Sequence, residues 1–297
     1  MIVEQACAKI NLSLDITGKR PNGYHDVRMI MQSLDLCDDL VFEKGEENSG
    51  ITLVTDNEML NKEQESGTDN LIVKAYKLLC DRTGKKFDVK ITLSKRIPIA
   101  AGMAGGSADA AAALRGINRL FELNLSMDEL MEMAVNIGAD VPFCIEGGLC
   151  LSEGIGEKLT VLTPLPSCPV VICKPAVFVS TGEVYKAFDS MESHRHPDVD
   201  AMLSAIEKYD AASVYALVEN ILEPVTVNKH PVINKIEESL KEAGAENAIM
   251  TGSGPTVFGL FFSEKEAKEA ADRLKEKYPD FEIHATKFKN VKKQRFE

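Results

Sequence analysis

The sequence predicts an α+β fold in two domains, and three observations carry that reading. The chain has 297 residues, which suits two cores of about 150 residues each. Strand-like runs alternate with capped, amphipathic helical runs from end to end. The prolines Pro164, Pro166 and Pro169 interrupt this alternation near the middle. They place a boundary near residue 160, with one domain over 1–160 and a second over 161–297.

In the first half, Ile2 to Ala8 reads as a strand that continues through Lys9 to Ile16 and breaks at Gly18. Pro21 followed by Asn22-Gly23 is a strong turn signal. Val27 to Leu34 is the returning strand, so the turn displays Arg20, Tyr24 and His25 close together. Leu40 to Phe42 and Ile51 to Val54 are short strands separated by the acidic Glu43 to Asn48, and 56–68 is a polar loop. Asp69 or Asn70 caps a helix with Leu71, Ile72, Ala75, Leu78 and Leu79 on its apolar face, ending at Gly84. Val89 to Leu93 alternates as a strand and leads into the stretch from Pro98 to Asp109.

That stretch organises the chain. It is a loop of small residues with glycines at 102, 105 and 106, running into the alanine-rich helix that contains Ala110 to Ala113. Glycines let backbone N–H groups approach a ligand closely and tolerate positive φ. The following helix start offers unsatisfied N–H groups and the positive end of its dipole. Together these make an anion site suited to phosphates, although the same pattern also serves as a tight turn before a packed helix. It matches neither the P-loop nor the dinucleotide fingerprint. Next, Ser126 and Glu129 form a capping box for a helix through Val135, with Gly138 at its end. Asp140 stands in the apolar link that follows. An ionised carboxylate there must be paired, either with backbone at the helix end or as a base or charge partner in a cleft.

In the second half, Val170 to Cys173 is a strand and Ser180 with Glu183 opens a short helix. Helical patterns follow over 198–208, 211–222 and 231–243, the last with Pro231 near its first turn and Gly244 after its end. Ala248 to Met250 is a strand before a second glycine loop, Thr251 to Pro255. Thr256 to Phe262, a helix from Ser263 to Tyr278 and a strand from Phe281 to Ala285 complete the pattern.

Composition narrows the function. Thirty-four basic against 46 acidic side chains give a net charge of −12, which argues against nucleic acid or an anionic membrane surface as partner. No apolar run approaches the roughly 20 residues of a membrane span, and the N-terminus enters a strand without a signal region. The seven cysteines include no C-x-x-C pair and lie mostly in apolar runs. Reduced thiols and a cytoplasmic or equivalent compartment are expected.

Three motifs in order, Ala8-Lys9-Ile10-Asn11-Leu12, Pro98 to Asp109, and Thr251 to Phe258, make the chain similar to the galacto-, homoserine-, mevalonate- and phosphomevalonate-kinase superfamily, the GHMP kinases. Gly18 to His25, Met31 to Leu36 and Gly138 to Phe143 resemble the branch whose substrate carries a cytidine diphosphate. The resemblance implies an N-terminal domain like domain 2 of ribosomal protein S5 and a ferredoxin-like C-terminal domain. It also implies transfer of the γ-phosphoryl of ATP, with Mg²⁺, to a hydroxyl of a small alcohol. Asp140 matches the family's base and Lys9 the cation beside it, a pairing that keeps the carboxylate ionised. Asn11 and His25 match substrate-holding positions, and Tyr24 with Tyr185 the aromatic sandwich for cytosine. Pro98, Ala100, Gly102, Met103, Ala104, Gly105, Gly106, Ser107 and Ala108 match the ATP loop; Asn70 and Lys95 match the adenosine side. The loop departs from the family in one respect: Ala108 stands where a second serine is common, leaving Ser107 as the hydroxyl. Alanine at 104 fits a negative φ. Another small-alcohol kinase of the family, or a non-catalytic nucleotide-binding module, are the competing readings, and the metal ligands and the choice between monomer and homodimer stay open.

Overall fold

The computed structural model describes residues 1–58, 60, 70–191 and 195–290. Asp69 and most of the polar 56–68 stretch lie outside the described residues. The chain forms two compact units, each assembled from separated stretches. The first comprises Met1–Ala8, Leu36–Ile99 and Ala104–Glu146; the second comprises Lys9–Asp35, Ala100–Met103 and Gly147–Glu297. The 164–169 prolines fall inside the second.

Two long strands, β1 (Ile2–Lys19) and β2 (His25–Lys44), run on from one unit into the other. They extend past the shorter strands expected at each place. Residues 8–16 are all buried, so both faces of β1 are covered and no polar–apolar alternation marks its course. In the first unit, β4 (Val89–Ser94) pairs antiparallel with the end of β2, from Asp39 opposite Ser94 to Lys44 opposite Val89. It also pairs parallel with β3 (Ile51–Thr55). Helix α1 (Leu71–Thr83) is capped by Asn70, whose side chain accepts from Ile72 N, and it stops at Gly84 with φ 66°. Its buried residues Ile72, Ala75 and Leu79 lie on one face, packed against α2 (Gly105–Leu120). Ala110 to Ala113 are fully buried, and a Cβ on Gly116 would lie 2.5 Å from the Phe42 ring. The small side chains of α2 are therefore what lets it seat so closely. The expected capping box opens α3 (Met127–Ala134), and α4 (Val141–Glu146) follows.

One expectation fails in this unit. Cys7 and Cys37 are joined as a disulfide, because neighbouring strands bring together cysteines 30 residues apart. Among the described residues, Cys80, Cys144, Cys150, Cys168 and Cys173 are free thiols.

The second unit continues with β5 (Leu149–Gly154), β6 (Lys158–Val161) and β7 (Pro169–Lys174). Helices α5 (Thr181–Phe188), α6 (Val199–Glu207) and α7 (Ala211–Ala216) lead to the two-residue β8 (Glu219–Asn220). The helix expected over 211–222 is thus cut short, since its C-terminal residues pair in parallel with Ser13 and Leu14 of β1. Then come α8 (Glu223–Lys229), α9 (Val232–Glu242), β9 (Asn247–Met250), β10 (Val257–Leu260), α10 (Glu264–Lys277) and β11 (Glu282–Lys287). Strand β5 pairs antiparallel with β2 and with β6. The last strands form an antiparallel sheet in the order β11-β7-β10-β9. Helices α9 and α10 cover it through Ile233, Ile236, Leu240 and Leu274, packed with Val171, Val257 and Phe261.

Candidate active site

In the first unit, the glycine loop meets α2 at Ala104. That residue has φ 58°, not the negative value expected of an alanine there. It occupies the left-handed region, at a cost of roughly 1–2 kcal/mol for a residue with a Cβ. No side chain caps α2, so the N–H groups of its first turn are open to a ligand anion. Gly105 has a packing reason to lack a side chain: a Cβ would lie 3.2 Å from both Lys95 Nζ and Ile97 Cγ2. Lys95 itself is engaged inside the unit. Its ammonium donates to Asp38 Oδ2 and Asp109 Oδ2, each at 2.6 Å. Asp38 Oδ1 in turn accepts the N–H groups of Arg96 (2.5 Å) and Ile97 (2.8 Å). This cluster ties the end of β4 to the first turns of α2. Burial pushes the Asp109 carboxyl up to about 7; Asp38 adds to the shift and Lys95 opposes it.

Asp140 belongs to the same unit. It is half-buried and sits immediately before α4, where its carbonyl accepts Cys144 N at 3.1 Å. Arg115 of α2 donates to the Cys144 carbonyl at 3.0 Å and is held by Glu4 at 3.1 Å. Asp140 is therefore fixed to the helix whose start carries the glycine loop.

In the second unit, Lys9 is buried, with only 4% of its surface exposed. Its ammonium donates to Asn11 Oδ1 at 2.7 Å, and its backbone N–H donates to Met103 O at 3.1 Å. Asn11 N donates to Thr251 Oγ1 at 3.0 Å, and that hydroxyl returns a bond to Asn11 Oδ1 at 3.3 Å. Residues from two of the three motifs thus form one buried polar group. Two glycine loops meet beside it. Gly102 has φ 72°, and a Cβ there would stand 2.7 Å from Thr251 O and 3.0 Å from Gly254 O.

The turn residues and α5 make a third cluster. His25 is buried, and its Nε2 lies 2.7 Å from Asp189 Oδ1. Lys19 donates to the other oxygen of Asp189 at 2.7 Å. The hydrogen bonds from Lys19 and then from His25 hold the Asp189 carboxyl below its ordinary range. The Tyr185 ring lies 4.9 Å from the His25 ring, tilted by 37°. Tyr24 is exposed. Asp189 carries no sequence signal, being a polar residue at a helix end 164 positions from its histidine. A cavity of about 590 Å³ between α5 and α8 is lined by Val179, Val184 and Thr226 among others, and by none of the residues the motifs point to. Among the described residues, no helix is long and apolar enough to cross a membrane.

Comparisons with known proteins identify the family. Family models for the GHMP kinase N-terminal and C-terminal domains match residues 70–148 and 196–280. A 4-diphosphocytidyl-2-C-methyl-D-erythritol kinase from Caldicellulosiruptor saccharolyticus is 48% identical over 92% of the chain and 93% of that protein. One from Lachnoclostridium phytofermentans is 50% identical over 90% of each. A crystal structure of 4-(cytidine 5'-diphospho)-2C-methyl-D-erythritol kinase superposes with TM-score 0.80 at 29% identity, covering 98% of this chain and all of that one. A homoserine kinase structure from Cytophaga hutchinsonii shares the fold, with TM-score 0.74 at 18% identity over 97% of this chain and 94% of that one. With identity of this level over nine-tenths of its length, the chain belongs to the GHMP kinases and, among them, to the 4-diphosphocytidyl-2-C-methyl-D-erythritol kinase family.

Proposed function

We propose that the chain transfers the γ-phosphoryl group of ATP to the 2-hydroxyl of 4-diphosphocytidyl-2-C-methyl-D-erythritol, a step of non-mevalonate isoprenoid precursor synthesis. The observation that carries this reading is the identity to relatives of that name across nearly the whole chain. Phosphoryl transfer asks a protein mainly for alignment and for stabilisation of charge on the transferring group. The uncapped start of α2 and the N–H groups from Gly105 to Ser107 cradle the phosphates. Asp140 takes the proton of the attacking hydroxyl, and the Lys9 ammonium stabilises the charge that develops as it leaves. Asn11 orients the Lys9 ammonium through its 2.7 Å bond and, with His25, holds the substrate. Tyr24 and Tyr185 supply faces for cytosine, which suits an acidic protein because stacking needs no cation.

Mg²⁺ fits this donor set in one way. Among the described residues no cluster of three or more His, Cys, Asp or Glu side chains is present, and Mg²⁺ commonly rides on substrate phosphates and water with few protein ligands. The Ser107 hydroxyl in the first turn of α2 is the chain's own donor there. When bound, the ion offsets the negative charge of the β- and γ-phosphates.

Turnover of ATP with the diphosphocytidyl alcohol, homoserine and mevalonate in parallel tests the assignment. The diphosphocytidyl alcohol is the preferred acceptor; preference for either of the others, or no turnover with any, overturns it. A second measurement concerns His25. Asp189→Asn removes the anion that orients the imidazole, and the KM for the cytidine substrate rises roughly fivefold, the scale of one partly exposed charged hydrogen bond. The KM for ATP stays the same. An unchanged KM for the cytidine substrate removes Asp189 from that role.

A further inference from the structure

The loop from Thr251 to Pro255 is braced from behind by one short segment. Asn220 Nδ2 donates to the carbonyls of Met250 and Gly252, both at 2.8 Å. Thr226 Oγ1 donates to Ser253 O at 3.2 Å. Between them, Glu223 Oε2 accepts the Met250 N–H at 2.7 Å. Residues 220, 223 and 226 thus grip the backbone that enters and forms the loop, and the middle one is an acid.

The Glu223 carboxyl is hydrogen-bonded to that of Glu237 on α9. A bond between two carboxyl groups requires a proton, since an ionised carboxylate only accepts. Removing that proton leaves two like charges in contact. Glu237 Oε1 is buried and has no hydrogen-bond partner among the described residues, so a second charge finds no compensation there. Lys241, one turn along α9, favours ionisation, whereas Glu219 on β8 and Glu238 on α9 oppose it. Burial is the largest influence on both acids and raises both; Glu237 is pushed up to about 8.

We propose that Glu223 and Glu237 share one proton and act as a positioning pair for the 251–255 loop, so that release of this proton to solvent loosens the loop and lowers turnover. The claim rests on the reading of that loop as part of the phosphoryl-transfer site. Its sign follows from linkage: an acid whose folded-state pKa is raised contributes stability that is fully present below its unfolded pKa and lost as pH rises through the folded value. The loss of stability therefore accrues from the ordinary glutamate range up to about pH 8 and is complete above it, whereas the folded pair itself gives up its proton around pH 8.

The test compares the parent protein with Glu237→Gln, in which an amide N–H replaces the titrating proton. Each protein's kcat is normalised to its own value at pH 7. By pH 9.5 the parent loses roughly tenfold more than the variant, the scale expected for a group titrating near 8. The parent's melting temperature also falls more steeply than the variant's between about pH 5 and 8, a reading that needs no substrate. Parallel pH profiles of both quantities overturn the shared proton. Divergent melting with parallel kcat overturns the positioning role alone, while the acceptor assay above still stands or falls by itself. Should Glu237→Gln not fold, Glu223→Gln keeps an oxygen for the Met250 N–H and answers the same question.

Discussion

Asp140→Asn lowers kcat by roughly 10²–10⁴-fold, the range for loss of a general base, while ATP continues to bind. The substitution keeps the shape of the side chain and removes its ability to accept a proton. Asp140 is half-buried, and its backbone carbonyl accepts Cys144 N, a bond that asparagine retains. A catalytic defect and a loss of stability have different readouts. Steady-state kinetics, with ATP affinity measured by titration and folding checked by melting temperature, separates the two. Turnover within threefold of the parent removes Asp140 from the role of base.

Much of the fold was legible because helix ends announce themselves chemically. Asn70, Ser126, Ser180 and Ser263 each accept a backbone N–H at the start of the predicted helix, and Gly84 closes the first of these in a left-handed conformation. The long strands were less legible, because burial of both faces of β1 erases the two-residue period that identifies a half-buried strand. In the candidate site, the motif residues Lys9, Asn11, Gly102 and Thr251 were visible as a set, and the second unit gathers them around one buried hydroxyl. What stayed hidden depended on partners distant in sequence. Lys95 matches the adenosine side only by position, yet its ammonium bonds aspartates 57 and 14 residues away. The left-handed φ of Ala104 could not be read from an alanine, a residue that rarely accepts it. The Glu223–Glu237 pair had no signal at all, since two glutamates on separate amphipathic helices read as ordinary solvated acids.

Gly102→Ala is the second large effect, and it tests the contact between the two glycine loops. Two separate penalties apply. At φ 72° the new Cβ carries the left-handed cost of roughly 1–2 kcal/mol. That Cβ would also stand 2.7 Å from Thr251 O and 3.0 Å from Gly254 O, inside van der Waals contact with backbone that cannot rotate away as a side-chain end can. The second loop must move, and Thr251 carries the hydroxyl that Asn11 uses. Displacement is transmitted through Asn11 to the Lys9 ammonium, bonded to it at 2.7 Å. The expected outcome is a stability loss of about 2–4 kcal/mol and a fall in kcat/KM of about 10²-fold, the scale of a 1 Å misplacement in a catalytic constellation. Gly84→Ala is the internal control. Its φ of 66° imposes the same conformational cost, but nothing lies within 4 Å of the added Cβ. Denaturant unfolding and steady-state kinetics on both variants separate strain from collision: Gly84→Ala loses only about 1 kcal/mol and keeps its kcat/KM. If Gly102→Ala is no more damaging than Gly84→Ala, the close approach of the loops has no bearing on the Lys9–Asn11–Thr251 group.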